Sequence, residues 1–122
     1  MYREIKVGDS TIPMLANGAT PIRYRMVFGK DIISEFQNAG NDAGIISESV
    51  SELAFIMNKA AEAQNEGKPM TNLNQDSFVE WLEQFGTLDV TMAAEDIVDL
   101  FMNNEKTSSE VKKKAKGQVK EN

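Results

Sequence analysis

Carboxylates are the side chains in this chain whose number and spacing could support acid–base or metal chemistry. Glu48/Glu52, Glu80/Glu83 and Glu95/Asp96/Asp99 recur at three- and four-residue intervals. Such spacing puts them on one side of a helix, where two can share a proton or a divalent cation. Several also fall in or near expected first helical turns, where carboxylates favour the positive end of the helix dipole, and that accounts for them without a ligand. No EF-hand loop pattern is present. Serines and threonines are plentiful, but the chain has no histidine and no cysteine. A hydroxyl nucleophile therefore lacks an imidazole base, there is no G-x-S-x-G elbow, and thiolate chemistry is absent. Phe28-Gly29-Lys30-Asp31 lacks the upstream glycine and the following Ser/Thr of a phosphate-binding loop. These observations predict no catalytic residues, no cofactor and no metal: a protein that is not an enzyme.

The elements that would position such residues begin with a ribbon. Arg3-Glu4-Ile5-Lys6-Val7 alternates polar and apolar, the period of a half-buried strand, and Gly8-Asp9-Ser10 makes a turn. Thr11-Ile12-Pro13-Met14-Leu15 can return as a second strand, with Pro13 restricting it to an edge or to its end. A two-stranded ribbon must pack on helices or pair with another chain, so its edge can serve as a subunit contact. Asn17-Gly18 signals a turn, Thr20-Pro21 fits N-cap followed by first helical residue, and Gly29 fits a left-handed stop. Between them Tyr24/Phe28 and Ile22/Met26 pair at i,i+4, with Arg23 and Arg25 able to point away.

After this segment the pattern is helical. Ile32, Ile33 and Phe36 form one apolar face, ended by Asn38-Ala39-Gly40-Asn41, and residues 40–47 read as a loop. Ser49-Val50-Ser51-Glu52 matches a capping box, followed by Val50, Leu53, Ala54, Met57, Ala60 and Ala61 at helical spacing to about Gln64. Residues 66–74 read as a loop, and Ser77-Phe78-Val79-Glu80 is a second capping-box match. Phe78, Trp81, Leu82 and Phe85 make the clearest amphipathic stripe. A last helix from about Leu88 to Asn103 carries Val90, Ala94, Ile97, Val98 and Phe101 on one face, with Leu100 and Met102 off it. Met26 and Met57 fall on core stripes; Met70, Met92 and Met102 do not. From Asn104 lysine and serine replace apolar residues, which predicts a disordered tail.

The expected fold is α+β, mainly α: a short N-terminal β-ribbon packed on a bundle of about four to five helices. Residues 1–103 form one domain (1–18 ribbon, 20–103 helical body), and 104–122 a flexible lysine-rich tail. The net charge of −6 is segregated. Residues 1–30 carry five basic against two acidic residues, 31–104 two against fourteen, and 105–122 six against three. An acidic helical middle repels a phosphate backbone and argues against nucleic-acid binding. No apolar run reaches the ~20 residues of a membrane span, and the first residues lack a signal peptide's charged and apolar regions. The absence of cysteine suits the cytosol.

The run ANGATPIRYRMVFGKDI after a ribbon, with FVEWLEQF further on and a lysine-containing polar tail, resembles the small tail assembly chaperones of long-tailed phages and prophages of Gram-positive hosts. That resemblance covers most of the chain. It implies a helper protein that binds the long, helical tape measure protein, keeps it soluble and helps recruit tail tube subunits. It further implies residence in the host cytoplasm during assembly, and absence from the mature virion. The competing expectation is a structural head–tail joining or minor tail protein. Candidate partner-binding residues follow from amphipathicity alone: Phe78, Trp81, Phe85, Leu100 and Met102, with a homo-oligomer also open.

Overall fold

An alternation of exposed and buried residues carries the chain through Tyr2–Val7 (β1) and back through Ser10–Leu15 (β2), an antiparallel hairpin with Ile5 opposite Ile12 and Glu4 opposite Pro13. The structure, a computed structural model, describes residues 1–103, and the expected tail at 104–122 lies outside the described residues. Ala16 N–H donates to the Met1 carbonyl, and the Met1 ammonium donates to the Ala16 carbonyl. Every second opposed pair inward from there is bonded in the same way. Glu4–Pro13 is therefore a pair without ladder bonds, so the N–H that proline lacks is not missed. The Pro13 carbonyl turns away from β1 and accepts from Asn58 Nδ2 at 2.9 Å.

Gly8 makes the two-residue turn possible. Its φ of 63° is positive while Asp9 is not in that region, which fits a II′ hairpin. A Cβ there would also lie 2.7 Å from Asp89 Cγ. That carboxylate is held by accepting from Gly86 N–H at 2.8 Å. Gly8→Ala is therefore expected to cost about 1–3 kcal/mol, read as a lower urea midpoint.

The helices follow as α1 (Thr20–Phe28), α2 (Ile32–Ala39), α3 (Ala43–Glu66), α4 (Gln75–Leu82), α5 (Asp89–Met92) and α6, helical over 94–103. The expected class is what is found: a hairpin on a mainly helical body, with about six helices because the last segment is split. Gly29 ends α1 at φ 70° as expected. The start of α1 differs by one residue. Ala19 is the N-cap, and Thr20 is helical, its hydroxyl accepting from Asn17 N–H at 2.9 Å. Asn17 Oδ1 in turn accepts from Ala19 N–H at 2.8 Å, and closing that turn draws the helix start forward.

The larger correction concerns α3. Asp42 Oδ1 accepts from Gly44 and Ile45 N–H, so the helix begins in the segment expected to be a loop. Ser49 and Glu52 are then not a capping box but part of a helix interior. Every residue from Ser49 to Asn58 is buried. α3 is the central element, and β2, α1, α2, α4 and α5 all pack on it. α4 is capped by Asn74 and Ser77 reciprocally, not by a box starting at Ser77.

The chain breaks between α5 and α6 at Ala93, which resets the phase of the apolar stripe. Ile97 and Leu100 turn fully inward as a result. Leu100, expected off the stripe, is a core residue. Met26, expected in the core, is 79% exposed, because a nine-residue helix is too short for periodicity to fix which side is covered.

Candidate functional site

α1 is apolar on two faces, and the body covers one of them. Tyr24 points inward and is fully buried, with Phe28 half-buried against the core. On the other side Ile22 and Met26 stand one turn apart, 59% and 79% exposed. Val27 and, across a groove, Met70 and Leu73 from the connection between α3 and α4 complete an apolar trough. Asn72, held at φ 59°, shapes that connection. Arg23 sits at the rim. Neither Arg23 nor Arg25 has an ion pair among the described residues, although residues 31–104 are strongly acidic. An amphipathic helix normally buries its one apolar stripe; a second, uncovered stripe beside a free cation is the form of a docking surface.

The sequence-derived candidates are placed differently. Phe78 and Trp81 are buried, and with Phe85 they belong to a run of edge-to-face rings. Phe55–Phe78 lie at 5.6 Å, Phe55–Trp81 at 5.7 Å and Trp81–Phe85 at 5.0 Å, joining α3 to α4 and the turn after it. Phe85 is half-buried and lines a shallow cleft with Val79 and Leu82. Leu100 faces the core, and Met102 is half-exposed in a separate hollow with Ile46 and Val98. The five thus divide between a core and two surface depressions. Amphipathicity marks the covered stripe of a helix as readily as a binding face, which is why Phe78 and Trp81 are interior, whereas Leu100 is turned inward by the break at Ala93.

Two buried polar clusters went unnoticed in the sequence. Glu52 is 1% exposed, accepts from the Tyr24 hydroxyl at 2.6 Å, and lies 3.1 Å from Lys30 Nζ, which also approaches Glu35 at 3.8 Å. Burial, then the hydrogen bond and charge of Glu52, hold the Tyr24 phenol far above its usual range. For Lys30 burial works against the ammonium, but the hydrogen bond to Glu52 and the charges of Glu52, Glu48 and Glu35 outweigh it and raise its pKa. This locks α1, the α1–α2 link and α3 together. The second cluster is Asn58, whose Nδ2 donates to Pro13 and whose Oδ1 accepts from Trp81 Nε1 at 2.8 Å. A signal for Glu52 was present: it adjoins the uninterrupted apolar run Leu53–Met57, where no solvated face can exist.

Tyr24 and Lys30 both bind their protons more tightly folded than unfolded. Their stabilisation is complete below the unfolded values near pH 10 and is lost as pH rises through the raised folded values. The urea midpoint is expected to fall above about pH 10, and less steeply in Tyr24→Phe. An equal slope in the two proteins would count against the phenol's share.

Among the described residues no group of histidine, cysteine or carboxylate side chains is placed to hold a metal, and no helix is long and apolar enough to cross a membrane. Comparison of the chain with protein-family models, curated proteins and solved structures gives no match.

Proposed function

We propose that this chain is a tail assembly chaperone of a long-tailed phage or prophage of Gram-positive bacteria, holding an apolar helical segment of the tape measure protein. The observation that carries the reading is the second apolar face of α1, with Ile22 and Met26 uncovered beside Met70 and Leu73. A helix laid in that trough gains affinity from apolar contact, while Arg23 orients it through an acidic residue on its flank. The acidic helical body keeps the complex soluble, and tail tube subunits are recruited once the tape measure protein is presented in this state. The protein acts in the host cytoplasm and leaves before the virion is complete.

Co-expression with the tape measure protein encoded beside it is expected to raise that protein's soluble yield several-fold. Met26→Asp is expected to abolish the gain while changing folding stability by no more than about 0.5 kcal/mol, since the side chain is exposed. A tape measure protein equally insoluble with and without this chain would overturn the proposal. Mass spectrometry of purified virions is expected to find the chain missing; its presence would favour a head–tail joining or minor tail protein.

A further inference from the structure

β1 has a hydrogen-bonding edge that the fold leaves open. Among the described residues the sheet contains only β1 and β2, and the bonded Met1–Ala16 pair fixes the phase of the ladder. Tyr2, Glu4 and Lys6 therefore turn their N–H and C=O groups away from β2. None of these groups has a hydrogen-bond partner among the described residues. The other side of the hairpin is treated differently. Pro13 has no N–H to offer, Asn58 takes its carbonyl, and α3 packs against β2. On the open edge Glu4 and Lys6 are exposed and form no ion pair among the described residues, Glu4 only accepting from the exposed Tyr2 hydroxyl at 3.4 Å.

The geometry points to a second copy of this chain as the occupant of that edge, its β1 running antiparallel to the first about a two-fold axis. Outward-facing backbone groups can meet only if residues 2, 4 and 6 of one strand oppose residues 2, 4 and 6 of the other. A two-fold then leaves five registers, each centred on one residue from 2 to 6, and centring on Tyr2 joins the strands through the single opposed pair Tyr2–Tyr2. Centring on Arg3 opposes two arginines, on Glu4 two glutamates, and on Lys6 two lysines, and like charges directly opposite are unfavourable. Centring on Ile5 opposes Ile5 with itself and sets Glu4 against Lys6 of the second copy, twice. That register alone joins more than one pair of outward-facing residues without setting like charges opposite each other. It gives a four-stranded sheet in the order β2-β1-β1-β2. A lysine on an edge strand usually discourages pairing; here it is matched by a glutamate two residues away and selects one register. The proposal stands independently of the function proposed above.

Sedimentation of the full-length chain is expected to show a dimer. Glu4→Lys and Lys6→Glu each turn both opposite-charge pairs into like-charge pairs, and each is expected to weaken the dimer by tenfold or more. An equimolar mixture of the two variants restores both pairs and is expected to dimerise again, as is the double swap Glu4→Lys/Lys6→Glu. Emission from Trp81, buried among the rings of α3 and α4, verifies that each variant is folded. A wild-type chain that stays monomeric, single variants that dimerise like the wild type, or a mixture that does not recover would each overturn the proposal.

Discussion

Glu52→Ala is expected to destabilise the fold by about 3–5 kcal/mol, because it breaks a buried ion pair from one side and leaves a cavity. A domain of this size has roughly 5–15 kcal/mol in hand, so chemical denaturation should show the loss plainly. The Tyr24 hydroxyl, fully buried, would keep its desolvation cost and lose its acceptor. Lys30 would suffer less, because its side chain is 31% exposed and can turn toward Glu35 and water. Glu52→Gln keeps an acceptor for the phenol and most of the volume, and is expected to cost about 1–3 kcal/mol. Pairing Glu52→Leu with Tyr24→Phe removes both ends of the hydrogen bond with apolar groups of similar size. That double variant should cost at least about 1 kcal/mol less than the sum of the two single changes. Additive losses in the cycle would mean that the 2.6 Å bond carries no stability of its own.

This buried carboxylate also shows where the sequence could and could not be read. The strands at Arg3–Val7 and Thr11–Leu15 are found to within a residue at each end, and Gly29 stops α1, because period-two alternation and left-handed glycine are local signals. Met57 is in the core as its spacing predicts. The start of α3 is not local in this sense. Ser49-Val50-Ser51-Glu52 fits a capping box in residue types, yet the competing cap at Asp42 lies seven residues earlier, and continuation from there is decided by burial of the whole helix. Glu52 then gains partners from Tyr24 and Lys30, which lie 28 and 22 positions away in sequence. Nothing in a helical period can foresee that. Leu100 was misplaced for a related reason: a stripe drawn through Leu88–Asn103 assumes one uninterrupted helix, and the turn at Ala93 shifts every later residue around the axis. The proposed docking surface is the least legible. Exposed and covered apolar faces look alike in sequence, and α1 has one of each.

Trp81→Ala is expected to cost about 3–5 kcal/mol, and it separates the core from the docking surface. The indole contacts Phe55 and Phe85 at ring separations of 5.7 Å and 5.0 Å, so its removal opens the middle of the aromatic run. It also strips Asn58 Oδ1 of its donor in a buried position. Trp81→Phe retains ring packing and isolates the second effect; about 1–3 kcal/mol is expected for the orphaned amide oxygen. Asn58→Ala removes the shared partner, leaving both Trp81 Nε1 and the Pro13 carbonyl unmatched, and should cost more than Trp81→Phe. Because Asn58 bridges α4 to β2 through α3, its loss should loosen the hairpin as well as the indole, seen as faster amide exchange across β2. If Trp81 is instead a contact with the tape measure protein, Trp81→Ala should abolish solubilisation while the protein melts normally. The proposed docking surface on α1 gives the reverse pairing of expected phenotypes: destabilisation for Trp81→Ala, and a normally folded but non-binding protein for Met26→Asp.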